Sequence, residues 1–318
     1  MTQRFIVTFG SPKTKITRSS AVPIEDFIIT VFCLIDDECK KIGSGHRLRT
    51  RGFEPKLSDS EVITMDVVGE FLGKDTDTGI WRYYKEHWFS WFPRLGSRGN
   101  YAKQSANLWL IKQSIQASFA AQGGALSDRL HMADGLPMPV CHFKRAGFSS
   151  VFRGIASYGY CASKSETYYG FKGNLTMSSD GMITGITVTQ ANIDERESLW
   201  DIIGNIRGLL IADKGLIGEE YQAQIREHTQ VNLQTPLRSN MNDPRGKHFN
   251  RWLVSTRRLV ETVIGQLSQQ FHIEKVRARD LWHLTNRIGR KILAHTAGII
   301  INKKLGYPPL QFERLSIV

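Results

Sequence analysis

Cysteine is scarce in this chain of 318 residues: Cys33, Cys39, Cys141 and Cys161 are too few for a disulfide scaffold and show no C-x-x-C spacing. They point to a reducing compartment and to thiols left free. Cys141-His142 has no second pair at ligand spacing to complete a zinc site. Long apolar runs are missing too. The longest, Phe27 to Ile35, falls far short of the roughly eighteen residues that span a bilayer, so neither a transmembrane segment nor a membrane partner is expected. Acids are in deficit: 30 Asp+Glu against 42 Lys+Arg leave a net charge of +12, with a pI near 9.6. Residues 1–24 hold no acid at all. Residues 1–23 are expected to form a disordered basic arm, an organelle transit peptide being the alternative. The cation surplus favours a polyanionic partner such as nucleic acid, although charge also serves plain solubility.

What the chain does contain is enough apolar residue, 41%, and enough length for a sizeable core and two domains. From Ile24 to about Gly123 the periodicity is helical. Ile24, Phe27, Ile28, Val31, Leu34 and Ile35 fall on one side of a first helix. Ser58 and Glu61 make a capping box for a second helix that closes before Gly73. An aromatic third helix, GIWRYYKEHWFSWF, halts at Pro93, and a fourth spans about Tyr101 to Ala121. With basic linkers such as His46-Arg47-Leu48-Arg49-Thr50-Arg51, residues 24–123 read as a helical DNA-binding domain, although aromatic stripes at helical spacing also fill cores. After the linker AAQGGALS at residues 120–127 the period changes.

Read as a strand, Arg129 to Val140 places Leu130, Met132, Asp134, Leu136 and Met138 on one face, with a carboxylate in the middle of an apolar row. Burying an unpaired carboxylate costs several kcal/mol, so Asp134 is protonated, salt-bridged, at an open strand end or bound to a cation. A basic polar loop with Lys144, Arg145, Arg153 and Lys164 follows. Strands at 167–175 and 182–189 flank a Ser-Ser-Asp-Gly turn, and Asp194 begins a helix running to about Ile206. Gly208 to Asp213, GLLIAD, reads as a strand buried on both faces among parallel neighbours, with Asp213 at its carboxyl end as ligand or turn former. A helix near 218–227 and a strand near 231–236 precede a basic segment that includes Arg238, Arg245 and Lys247. A helix over about 249–270 buries Leu253, Val260, Ile264, Leu267 and Phe271, with Glu261 at the core's edge, where it can serve as a ligand or as an ion-pair partner of Arg257. In the last helix, about 280–304, Arg287, Arg290 and Lys291 sit on adjacent turns after Arg277 and Arg279. They read as phosphate contacts or a solvated basic face.

The order of these parts is that of an RNase H-like nucleotidyltransferase core: Asp on a first strand, hairpin, Asp at a buried strand, Glu on a later helix. Here the sequence resembles the Asp-Asp-Glu transposases of bacterial insertion sequences, most closely insertion-sequence family 982. The matching words are MADGLPMPVC, YYGFKGNLTMSSDGMITGITVTQANIDERE, LLIADKGLIG and TRRLVETVIGQLSQQFHIEKVRARD, within a resemblance running from about Ile24 to Gly306. It implies an α/β fold: an RNase H-like mixed-sheet catalytic core at 124–306 with a basic C-terminal helix, behind the N-terminal helical DNA-binding domain, and a tail at 307–318. It places the family's acids on Asp134, Asp213 and Glu261, as catalytic residues and metal ligands. In related transposases the last acid lies in a Tyr, Arg, Glu, Lys signature. Arg257 fits the arginine, whereas Val254 and Ser268 stand at the tyrosine and lysine places, leaving Arg258, Lys275, Arg277 or Arg279 as substitutes.

The resemblance further implies two Mg²⁺ ions about 3.5–4 Å apart, replaceable by Mn²⁺, that activate water or a DNA 3′-hydroxyl and stabilise the leaving oxygen. Double-stranded DNA, as element ends and target, would be held by Arg238, Arg245, Lys247, Arg257, Arg258, Arg277, Arg279, Arg287 and Arg290. The expected setting is the bacterial cytoplasm at the nucleoid, with a homodimer as a further expectation. Two alternatives share the fold: an endonuclease without strand transfer, and a catalytically silent DNA-binding protein.

Overall fold

A computed structural model describes residues 22–43, 55–238 and 240–315. Most of the basic arm and the linker from His46 to Arg51 lie outside the described residues, as does the end of the tail. Helix α1 (Ile24–Gly43) buries Phe27, Ile28, Val31 and Ile35, the stripe its spacing implies. Helix α2 (Asp59–Phe71) opens on the expected capping box: the Glu61 amide donates to Ser58 Oγ at 3.1 Å and the Ser58 amide to the Glu61 carboxylate at 2.6 Å. Such a cap contributes about 1 kcal/mol. Helix α2 is buried on almost every side from Ser60 to Glu70, which makes it an internal helix. Helix α3 (Asp77–His87) follows. The expected fourth helix is two, α4 (Arg98–Asn107) and α5 (Trp109–Gln122), parted at Leu108. The Ser105 carbonyl that would continue the helix instead accepts from the Leu108 amide at 3.2 Å and from Lys112 Nζ at 2.9 Å.

The rest of the chain runs β1 (Leu130–His142), α6 (Phe143–Ala146), β2 (Ser157–Cys161), β3 (Glu166–Ser178), β4 (Ile183–Gln190), α7 (Glu195–Ile203), β5 (Gly208–Ile211), α8 (Glu219–His228), β6 (Val231–Gln234), α9 (Lys247–Gln269) and α10 (Leu281–Lys304). The mixed sheet has the order β2-β3-β1-β5-β6, with β4 also on β3. Strands β2 and β4 share one edge of the long β3 end to end, pairing with residues 166–170 and 171–177. Strand β1 is antiparallel to β3 and parallel to β5, and β5 is parallel to β6, as its unbroken apolar run implies. The segment read as a basic loop thus holds a short helix and an edge strand; five residues with tyrosines at alternate positions are too few to declare a period.

One core packs the helices and one sheet face together; α7 and α8 cover the other face around Leu210, Ala212 and Leu233. The boundary at residue 124 therefore separates helices from strands but not two cores. Helix α10 departs most from expectation. It is buried from Ile288 to Asn302 apart from Gly289, and Arg290 and Lys291 are fully enclosed. Arg290 pairs with Glu70 and Asp77 at 2.5 Å each, Lys291 with Glu70 at 2.7 Å, and Arg287 with Asp77 at 2.6 Å. These cations face acids of α2 and of the first residue of α3, so Arg287 and Arg290 are structural ion-pair partners and not the phosphate contacts expected. Their partners lie 210–221 residues earlier in the chain, beyond the reach of any pattern within α10.

Candidate active site

Strands β1 and β5 pair only over Leu130–Met132 and Leu209–Ile211. Two residues beyond the last pair, the shared register sets Asp134 level with Asp213, where the strands diverge and the sheet end opens. Adjacent strands lie roughly 4.8 Å apart, so the two carboxylates are neighbours by construction. Beyond this point β1 has a partner on its β3 side only, which is how it tolerates Pro137 and Pro139. Asp134 keeps its place in the row of Met132, Leu136 and Met138, facing the core that α9 covers.

Helix α9 carries Arg257 across this opening. One guanidinium nitrogen, Nη2, stands 3.3 Å from Asp134 and 3.0 Å from Asp213. Gly135 N–H donates to Asp134 Oδ1 at 2.8 Å. Burial pushes the Asp134 carboxyl up to about 6, against the pull of Arg257 and the Gly135 amide, with Asp213 and Glu195 adding to the rise. Two carboxylates thus face one guanidinium at the open end of the sheet.

Glu195 is an acid that the sequence reading passed over in favour of its neighbour Asp194, which caps α7 by accepting from the Arg196 amide. Its carboxylate comes within 3.2 Å of where a Cβ on Gly135 would stand and within 3.6 Å of the same point on Gly215. Two glycines thus clear the room it occupies. Lys172 on β3 sits 3.5 Å from it. Only the acid-rich helix start DERE signalled it. Glu261, one turn beyond Arg257, is exposed, whereas Arg257 turns to the aspartates. Among the described residues no three His, Cys, Asp or Glu side chains stand close enough to hold a metal ion.

The basic residues divide. Arg245 is bound to Asp243, to Gln234 at the end of β6 and to the Thr235 carbonyl just beyond it, clasping the loop to the sheet. Arg238, Lys247, Arg258, Arg277 and Arg279 are exposed. Cys33, Cys39 and Cys141 are free thiols, and no helix among the described residues is long and apolar enough to cross a membrane.

A mixed sheet with antiparallel β1, β3 and β4, parallel β5 and β6, covering helices and acids at the diverging ends of β1 and β5 is an RNase H-like core with a helical N-terminal region. Within that class, residues 125–281, just under half of the chain, match the family described as "Transposase DDE domain". Asp134, Asp213 and Glu261 all fall inside the matched part. No curated protein and no solved structure matches the chain.

Proposed function

We propose that this protein is an insertion-sequence transposase, of the kind grouped as family 982, that cuts element ends and joins them to target DNA by in-line attack on phosphodiesters. The observation that carries this reading is the level pair Asp134 and Asp213, already closed around one cationic group at the open end of the sheet. Hard carboxylate oxygens fit Mg²⁺ or Mn²⁺, with Asp134 and Asp213 as ligands and Glu261 as the third. Bound there, such ions supply Lewis acidity to the attacked phosphate and acidify a bound water. The chain's own residues do the rest. Asp134 and Asp213 fix the charge at the reaction point; Arg257, freed from them, lies within reach of a scissile phosphate; Arg238, Lys247, Arg258, Arg277 and Arg279 hold the flanking backbone. No covalent protein intermediate is needed.

The test is cleavage and joining of labelled DNA carrying this gene's own flanks, with Mg²⁺ or Mn²⁺ against EDTA. Metal-dependent nicking at a defined end, followed by joined products, is expected. Asp134→Asn, Asp213→Asn and Glu261→Gln should each lower it by at least about a thousandfold, as removal of a charge-fixing group does. Nicking without joining would leave an endonuclease, and binding without cutting a silent DNA-binding protein.

The position of Glu195 between Gly135 and Gly215 favours a second reading of the third carboxylate. If Glu261 completes the site, Glu195→Gln keeps cleavage within about tenfold of the parent. Loss in Glu195→Gln with retention in Glu261→Gln would transfer the role to Glu195.

A further inference from the structure

Between β1 and β3 the chain makes an excursion that the acid site does not use. From Gly135 to Ser165 there is no Asp or Glu, while Lys144, Arg145, Arg153 and Lys164 all fall in this stretch. It also carries the three most exposed Phe, Tyr or Trp side chains of the described residues, Phe148 at 92%, Tyr160 at 63% and Phe143 at 51%, together with Tyr158 at 49%. Singly exposed apolar residues are ordinary, but four large rings in one basic segment are not.

The segment is held rigidly beneath those rings. Phe152 adopts φ 57°, a conformation that costs an L residue energy, and drives its ring into the core at 5.1 Å from Phe171. The Tyr169 hydroxyl donates to its carbonyl at 3.0 Å. Strand β2 then lies flat because residue 159 is glycine: a Cβ there would stand 2.7 Å from that of Ala191. With Gly159 turned inward, alternation sends Tyr158 and Tyr160 outward together. Tyr158 meets Phe143 edge to face at 5.6 Å and Tyr169 at 5.3 Å, so the row is braced rather than loose. Lys144, Arg145 and Arg153 of the same segment are exposed, and none of them forms an ion pair among the described residues.

We infer that this surface binds unpaired DNA bases: Tyr160, Tyr158 and Phe148 stack on bases splayed out of the duplex, while Lys144, Arg145 and Arg153 hold the adjoining phosphates. The proposal deepens the transposase reading and rests on it for the choice of DNA. Glu166 and Glu274 border the segment but are taken up by His142 and Lys164, and exposed rings with unpaired cations match a single strand, whose bases offer π-faces and whose backbone offers charge. A duplex conceals those faces. The surface begins where the strand that carries Asp134 ends: eight residue steps along β1 lead from that acid to His142, about 27 Å at strand rise, or roughly eight base steps. Bases unpaired at that remove from a cut would be gripped while the acids work on the backbone.

The experiment measures binding of the full chain, in EDTA so that nothing is cut, to a blunt duplex and to the same duplex with an eight-nucleotide single-stranded extension bearing 2-aminopurine. Tighter binding of the extended DNA and quenched 2-aminopurine fluorescence are expected. Tyr160→Ala with Phe148→Ala should remove at least tenfold of that preference and restore the fluorescence, leaving blunt-duplex affinity unchanged; Tyr160→Phe should retain both. Lys144→Ala with Arg145→Ala should weaken both DNAs and flatten the salt dependence. Equal affinity of the parent for the two DNAs, or a preference that survives Tyr160→Ala with Phe148→Ala, overturns the proposal. So does a change of sedimentation in the ring variants without a change in DNA binding, which would make the surface a contact between copies. Because no cleavage is involved, a protein that grips the extension but cuts nothing would sink the transposase reading and leave this surface standing.

Discussion

Replacing Arg290 by alanine should destabilise the protein by about 3–5 kcal/mol, a large part of the roughly 5–15 kcal/mol that holds an ordinary domain folded. The side chain is wholly buried and its guanidinium binds Glu70, Asp77 and the carbonyl of Asp75, the last at 2.9 Å. Truncation leaves two buried carboxylates short of their strongest partner, and desolvation is not repaid. Urea denaturation of Arg290→Ala and Arg290→Met checks this. Joining Arg290→Met to Asp77→Asn should cost less than the two changes summed, because each removes the group the other strands. A loss under about 1 kcal/mol, or strict additivity, would mean that the network contributes little.

The same network sets an acid limit on stability. Burial alone would raise the Asp77 carboxyl, but Arg290 and Arg287 outweigh it and hold the group at about 2, below its ordinary 3.8. A carboxyl lowered on folding contributes stability that is complete above the ordinary value and is lost as pH falls from about 4 towards 2. Asp77→Asn is therefore expected to be less stable at neutral pH and to show a flatter acid limb. Thermal unfolding between pH 2 and 6 reads both, and parallel curves for parent and variant would refute it.

The sequence made the sheet legible because its signals are local. Alternation gave β1, the unbroken run Gly208–Ile211 gave a strand among parallel neighbours, and the capping box at Ser58 marked the start of α2. Asp134 could be singled out because a carboxylate in an apolar row needs an explanation, and Asp213 because it ends a buried strand. Arg290 was misread because its partners, Glu70 and Asp77, come from distant helices; a basic stripe looks alike whether it meets phosphate, water or buried acid. Glu195 escaped notice because only folding brings it over Gly135 and Gly215. Strand β2 escaped because it is short and shows its rings to solvent.

Removing Arg257 should separate two properties that ordinarily fall together. In the free protein its guanidinium lies on both Asp134 and Asp213, so it competes there with any other cation. On the proposed function it must leave the aspartates when metal and DNA arrive, and its charge then serves the phosphate under attack. Arg257→Ala is thus expected to bind Mn²⁺ more tightly than the parent in the absence of DNA, while cutting DNA at least about a hundredfold more slowly. Arg257→Lys keeps the charge but loses the planar fork, so it should fall between the two in cutting. Calorimetric titration with Mn²⁺ and single-turnover cleavage at saturating metal give the two readings. If metal binding and cleavage weaken together in Arg257→Ala, the residue is merely a brace for the two strand ends. If cleavage stays within about threefold of the parent, the reaction does not use it. Opposite movements would place Arg257 at the exchange between a closed aspartate pair and a working site, because only a group that competes in one state and assists in the other shifts the two measurements in opposite directions.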